Sequence, residues 1–176
     1  VTHNSTCQIK KNIEWACNKS LWPELWETEP KIFWYFYPSE MVAAVEFEKK
    51  WVPDYLPRGS MKKHATYGWD CEYNNGTLEA IHFNSGVTLY FKSYGQKVLN
   101  LQTSTVHMIS CDEEIDPSFV DELLARLRGT GGYFNQVFTA TRGFPLWFRA
   151  MECIGSADEA FKTAYKRTVS LYECKV

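Results

Sequence analysis

The chain has 176 residues, of which 45% are hydrophobic and 16% aromatic, and a formal net charge of −2. The composition excludes a disordered chain, and the length suits a single domain, 1–176, with a substantial core better than two small ones with poor cores. The basic runs Lys10-Lys11, Lys49-Lys50 and Lys62-Lys63 are short and interleaved with acids, so solvated faces explain them and no nucleic-acid or anionic-lipid partner is expected.

Val1–Lys19 is polar and carries Cys7, Cys17 and glycan-acceptor triplets at Asn4 and Asn18. A Cys7–Cys17 loop could close this segment. In Ser20–Pro30, Trp22 and Trp26 sit four apart around Pro23. On a short helix the two indoles share a face, either filling the core, which their large area favours, or forming an exposed anchor. Lys31–Tyr37 (KIFWYFY) is a continuous aromatic run, the pattern of a strand buried on both faces. Pro38 ends it, and Ser39 caps a helix over Glu40–Trp51 whose apolar stripe, Val42, Val45, Phe47 and Trp51, is incomplete. Pro53, Pro57 and Gly59 mark a loop.

Tyr67–Ser93 reads as two successive hairpins around which the chain is organised. Tyr67, Trp69, Cys71 and Tyr73 alternate with polar residues, predicting one buried and one wet face. Asn74-Asn75-Gly76 and Asn84-Ser85-Gly86 supply the positive φ that tight turns need. Thr77–Phe83 and Val87–Lys92 are the returning strands, and Asn75 heads a third acceptor triplet at a turn tip. Lys97–Ser110 is β-rich. Asp116–Gly129 has the strongest helical pattern, with Pro117 in the first turn, Phe119, Val120, Leu123, Leu124 and Leu127 on one face, and Gly129 as the stop. Gly129–Gly132 reads as a mobile loop. Tyr133–Thr141 and Phe144–Cys153 form a further hairpin, Ser156 and Glu159 box the start of a last helix, and Thr168–Cys174 closes as a strand. The order of elements predicts a mainly β fold, an immunoglobulin-like antiparallel β-sandwich with helical insertions, with a lipocalin-like barrel or another α+β fold as alternatives.

The six cysteines (Cys7, Cys17, Cys71, Cys111, Cys153 and Cys174) are an even, widely spread set with no Cys-x-x-Cys. Beside three acceptor triplets they point to disulfides and the secretory pathway (ER lumen, cell surface or secretion) rather than to a zinc site, with the pairing open. A mature secreted protein and an ectodomain cut from a membrane anchor both fit.

None of His3, His64, His82 and His107 lies in a metalloprotease motif, and there is no Gly-x-Ser-x-Gly or phosphate-binding glycine loop. His82 and His107 fall in predicted strands and could meet only through tertiary packing. The acidic cluster Asp112–Glu114 suits a solvated surface before a helix. No catalytic residue, metal or cofactor is assigned. Binding is the favoured class of function.

Tyr172-Glu173-Cys174 resembles the tyrosine corner of immunoglobulin domains. Together with the start VTHNSTC, the aromatic strands KIFWYFY and YGWDCEY and the closing LYEC, the chain resembles the cytomegalovirus immunoevasin glycoproteins with a variable-type immunoglobulin-like fold. The resemblance implies the ectodomain of a single-pass viral membrane glycoprotein, anchored through a segment outside this chain. It also implies binding to host MHC class I molecules or natural-killer-cell receptors to blunt immune recognition. The expected interface is a sugar-free patch of aromatic and polar groups, drawn from Trp22, Trp26, Tyr55 and Arg58 in the Pro53–Lys63 loop, and Tyr133 beside Gly129–Gly132. The alternative is a secreted lipocalin-like carrier of a small apolar ligand. A hydrolase comes third, and would need His82 or His107 to converge with an acid.

Overall fold

In the computed structural model, which describes residues 3–95 and 105–138, the aromatic run Lys31–Tyr37 is strand β1. It is the parallel neighbour of two strands, β4 (Val87–Ser93) and β5 (Met108–Asp112). Alternation along β1 sends Phe33, Tyr35 and Tyr37 to one face and Trp34 and Phe36 to the other, and all five side chains are buried. A parallel strand with partners on both sides has no wet face, which is why the run carries no polar alternation. The antiparallel strands β2 (Trp69–Asn74) and β3 (Thr77–Phe83) extend the sheet beyond β4, and β6 (Tyr133–Val137) runs parallel to β5. The order is β2-β3-β4-β1-β5-β6. The described residues therefore form an α+β fold with one six-stranded mixed sheet, whose parallel pairs stand where a sandwich of antiparallel strands was expected. Nor do the described strands close into a barrel: β2 and β6 are opposite ends of their order.

The chain divides into two compact units, Val1–Thr139 and Ala140–Val176. The expected strand Phe144–Cys153, the helix from Ser156, the strand Thr168–Cys174 and much of Lys97–Ser110 lie outside the described residues.

Among the described residues, three α-helices pack on the sheet. The polar N-terminal segment, where a cysteine loop was expected, is helix α1 (His3–Cys17). Cys7 and Cys17 lie ten residues apart on it, about 15 Å at the helical rise, too far for a bridge that needs Cα atoms within about 7 Å. Ile9, Ile13 and Ala16 turn into the core with Phe33, Tyr35 and Tyr37. Next to them α1 buries a polar row that matches β5 rung by rung. Ser5 Oγ donates to Asp112 Oδ1 at 2.8 Å, Gln8 Nε2 to the Cys111 carbonyl at 3.1 Å, and Asn12 Nδ2 to Ser110 Oγ at 2.8 Å. Lys11 Nζ reaches Asn135 Oδ1 on β6 at 2.6 Å. Each bond satisfies a group that would otherwise be costly to bury.

Ser39 caps α2 (Glu40–Glu46), its hydroxyl accepting from the Val42 N–H at 3.2 Å. The helix continues as a π-helical stretch, Phe47–Tyr55. This wider turn admits Pro53, which would break an α-helix for want of an N–H, and it sends Phe47 and Trp51 into the core. There the Trp51 Nε1 donates to the Tyr37 hydroxyl at 2.9 Å. Helix α3 (Pro117–Arg128) crosses from β5 to β6 and buries Val120, Leu123 and Leu127. Because α1 already covers those strands on one side, α3 takes the other.

Two further expectations needed correction. Of the face expected to be buried, only Trp69 fully is: Tyr67 is 39% exposed before the strand begins, Cys71 is half-buried against the core, and Tyr73 is 54% exposed. The reason is that β2 is an edge strand with a register shift between Glu72 and Tyr73. Nor does Gly129–Gly132 behave as a free loop. Thr130 Oγ1 donates to the Val106 carbonyl at 2.7 Å, and the Tyr133 N–H to the His107 carbonyl at 2.9 Å. A Cβ at Gly132 would lie 2.3 Å from the His107 oxygen and 2.8 Å from Leu127 Cδ2. Gly132→Ala should therefore cost about 1–3 kcal/mol in urea unfolding. Gly129→Ala, where a Cβ meets nothing within 4 Å, should stay within about 0.5 kcal/mol of the parent.

Candidate functional site

The expected interface residues do not form one patch. Trp22 is 7% exposed and interlocks edge-to-face with Trp15 at 5.9 Å and Tyr133 at 4.8 Å between ring centroids. Trp26 and Tyr55 are half-buried against the core. Only Arg58 and Tyr133 are exposed. They belong to opposite ends of the sheet, since the Arg58 loop is tied to β2 by the Trp69 Nε1 bond to the Pro57 carbonyl and Tyr133 begins β6. Five strand spacings put those edges roughly 24 Å apart.

A different surface is uncovered. Helix α2 buries Ala43 and leaves Met41 77%, Val42 38% and Val45 42% exposed. Spacings of three and four residues place these side chains on one outward face. Near the helix start lies a groove of about 250 Å³ lined by Glu40, Asn74, Asn75, Leu78, Phe91 and Lys92, among others. The Lys92 ammonium lies 5.3 Å from the Tyr90 ring centroid and 5.9 Å from that of Trp34, and burial lowers its pKa. Val42 and Val45, expected in the buried stripe with Phe47 and Trp51, instead lie on this outward face. Met41, the most exposed large apolar side chain among the described residues, was the available signal.

The crevice where an open α/β sheet ordinarily takes a ligand is filled by the chain itself. The chain leaves β1 for α2 on one face and leaves β5 for α3 on the other, a topological switch point. Tyr37 and Asp112 end the two strands there. Ser5 of α1 bonds Asp112, and the two residues are 5% and 7% exposed. Burial raises the Asp112 pKa, opposed by the Ser5 hydrogen bond. Behind them the Tyr35 hydroxyl and Gln8 Oε1 are buried without a hydrogen bond of good geometry.

The histidines stand apart. His82 on β3 is held between Glu72 Oε2 at 2.8 Å and Thr88 Oγ1 at 3.1 Å. This row of hydroxyl, imidazole and carboxylate has the contacts that activate a nucleophile. It lies on an open sheet face, with the His82 and Glu72 side chains 46% and 49% exposed. Because β4 is paired on both sides, the backbone N–H groups around Thr88 are committed to the ladder, leaving none to hold a developing oxyanion. Cross-strand pairing accounts for the row. His64 Nδ1 accepts from the Thr66 and Tyr67 N–H groups, 3.1 Å each, and His107 is buried at the start of β5, which β4 and β1 separate from β3. Among the described residues no group of three or more His, Cys, Asp or Glu could hold a metal ion, and no helix is long and apolar enough to cross a membrane.

Cys7, Cys17, Cys71 and Cys111 are free thiols in the structure; Cys153 and Cys174 lie outside the described residues. Burial pushes the Cys17 thiol up to about 12 and the Cys111 thiol still higher. Of the acceptor asparagines, Asn4 lies in the first turns of α1. Asn18 Oδ1 accepts from both the Ser20 N–H and its hydroxyl. Asn75 is exposed at the β2–β3 turn with φ 50°, as its triplet predicted.

No family model, curated protein or solved structure matches the chain.

This placement of the sulfurs makes a prediction for native alkylation at neutral pH, followed by peptide mass mapping. Cys7 should label readily, whereas Cys17 and Cys111 should label only after denaturation, because the thiolate is the reactive form. Recovery of any of the four in a disulfide-linked peptide would contradict it.

Proposed function

We propose that the protein is a binding module whose partner is another protein, and that the partner is a host immune-surface molecule, MHC class I or a natural-killer-cell receptor. The observation that carries the binding role is the uncovered apolar face of α2, Met41, Val42 and Val45, beside a groove with polar walls. An apolar centre rimmed by polar groups is the usual anatomy of a docking surface. Glu40 and Lys92 in the groove supply directional contacts at its edge. The choice of partner rests on the sequence resemblance of VTHNSTC, KIFWYFY, YGWDCEY and LYEC to viral immunoevasins. The immunoglobulin-like form of that reading requires a second sheet drawn from beyond the described residues. The secretory location and the membrane anchor belong to the same proposal, and the exposed acceptor Asn75 supports them.

The test is direct binding of the glycosylated protein to purified MHC class I and natural-killer-cell receptors by surface plasmon resonance. Binding should be specific to one of these classes. The double variant Met41→Glu/Val45→Glu should weaken it at least about tenfold, roughly 1.4 kcal/mol or more. Because both side chains face solvent, its melting temperature should match the parent's. Failure to bind any member of either class would overturn the choice of partner, and unchanged binding by the double variant would overturn α2 as the surface.

A further inference from the structure

His107 at the start of β5 is bonded in a way that only the neutral imidazole allows. The ring is 4% exposed. The Thr28 hydroxyl donates to the Leu25 carbonyl at 2.7 Å, so across the 3.1 Å contact with His107 Nε2 it can only accept. Nε2 must therefore carry the proton. The other nitrogen, Nδ1, faces the Ile32 N–H at 3.4 Å and accepts from it, standing in for a ladder carbonyl where β1 begins. A second proton on the ring would set N–H against N–H at Ile32, inside a buried site.

The surroundings oppose that proton as well. The charged side chain acting on the ring is that of Lys31 on β1, which is 5% exposed and paired with Glu29. The turn that carries Thr28 adds Glu24 and Glu27, both exposed, and β6 adds the Tyr133 phenol. Burial, with Lys31 adding to it, holds the His107 pKa below its ordinary 6.5.

We propose that His107 is an acid-labile clamp on the Ser20–Pro30 segment: a proton on Nδ1 sets it against the Ile32 N–H, and the ring, driven from that site, carries Thr28 and its contact with Trp22 away with it, releasing Trp22, Leu25 and Trp26 from the sheet. Trp22 lies against the ring at 6.2 Å between centroids and stacks on Phe33 at 6.3 Å. The part of the chain freed by acid is therefore its most tryptophan-dense turn, an apolar surface hidden at neutral pH. This conclusion is independent of the α2 surface and its partner.

The direction follows from linkage. With the folded value below the unfolded one, the closed clamp is fully stable above pH 6.5 and loses stability as pH falls through the window beneath it. Hydrogen exchange of the intact protein, corrected for intrinsic rates, should show the opening of residues 20–30 rising by up to about tenfold per pH unit in that window. Peptides from β3 and β4 should not change. His107→Gln, which keeps a neutral donor and acceptor, should abolish the acid step, and His64→Gln and His82→Gln should keep it. An equal acid step in His107→Gln, or none in the parent, overturns the clamp. If His107→Gln does not fold, the NMR titration of His107 in the parent decides. A midpoint below 6.5, with the Trp22 indole signal moving at the same pH, supports the clamp, and a midpoint at or above 6.5 refutes it.

Discussion

The fold depends on β1 having a parallel neighbour on each side. A strand in that position must be apolar on both faces, and both faces must then be covered. On one side, Phe33, Tyr35 and Tyr37 meet α1, α2 and the π-helical turn that delivers Phe47 and Trp51. Trp51 is wedged edge-on against Tyr35 at 5.1 Å and Phe91 at 5.3 Å. Such pairs contribute about 0.5–1.5 kcal/mol each beyond the area they bury. Hence the departure from α-helical geometry at Pro53 is tolerated: it aims an indole at the centre of the molecule.

The polar row between α1 and β5 makes a different contribution. Apolar residues at Ser5, Gln8 and Asn12 would bury as much surface, but they would not fix where along β5 the helix sits. Hydrogen bonds from three successive helical turns to Ser110, Cys111 and Asp112 admit one register only, since any slip leaves several buried groups unpaired. Net stabilisation from such bonds is modest, so specificity is the better account of why the row is polar. The same packing closes the switch-point crevice and turns the molecule's exposed chemistry toward its margins.

Those margins differ in kind. The β2 edge is blunted by Asp70, Glu72 and the register shift at Tyr73, which discourages pairing with another strand. The outward face of α2 has no such protection. The β2 edge offers mainly polar groups and the α2 face offers apolar area, and this asymmetry is the reason α2 is proposed as the docking face.

Local patterns made much of this legible in advance. β1, β3, the Ser39 cap, the Asn75-Gly76 turn and α3 follow from periodicity, capping and turn chemistry, which act over a few residues. α1 escaped because its buried face is half polar: Ser5, Gln8 and Asn12 read as solvent-facing until their partners, about a hundred positions away, are known. The expected interface split for a related reason, since Trp22 and Tyr133 are adjacent in space while Arg58 lies across the sheet. The sequence by itself determined that KIFWYFY is doubly buried, that hairpins follow it and that Asn75 is exposed. Whether the neighbours of β1 run parallel, whether α1 fills the crevice, whether the described cysteines pair and which face of α2 stays bare were decided by the tertiary structure, because each depends on groups brought together only when distant segments pack.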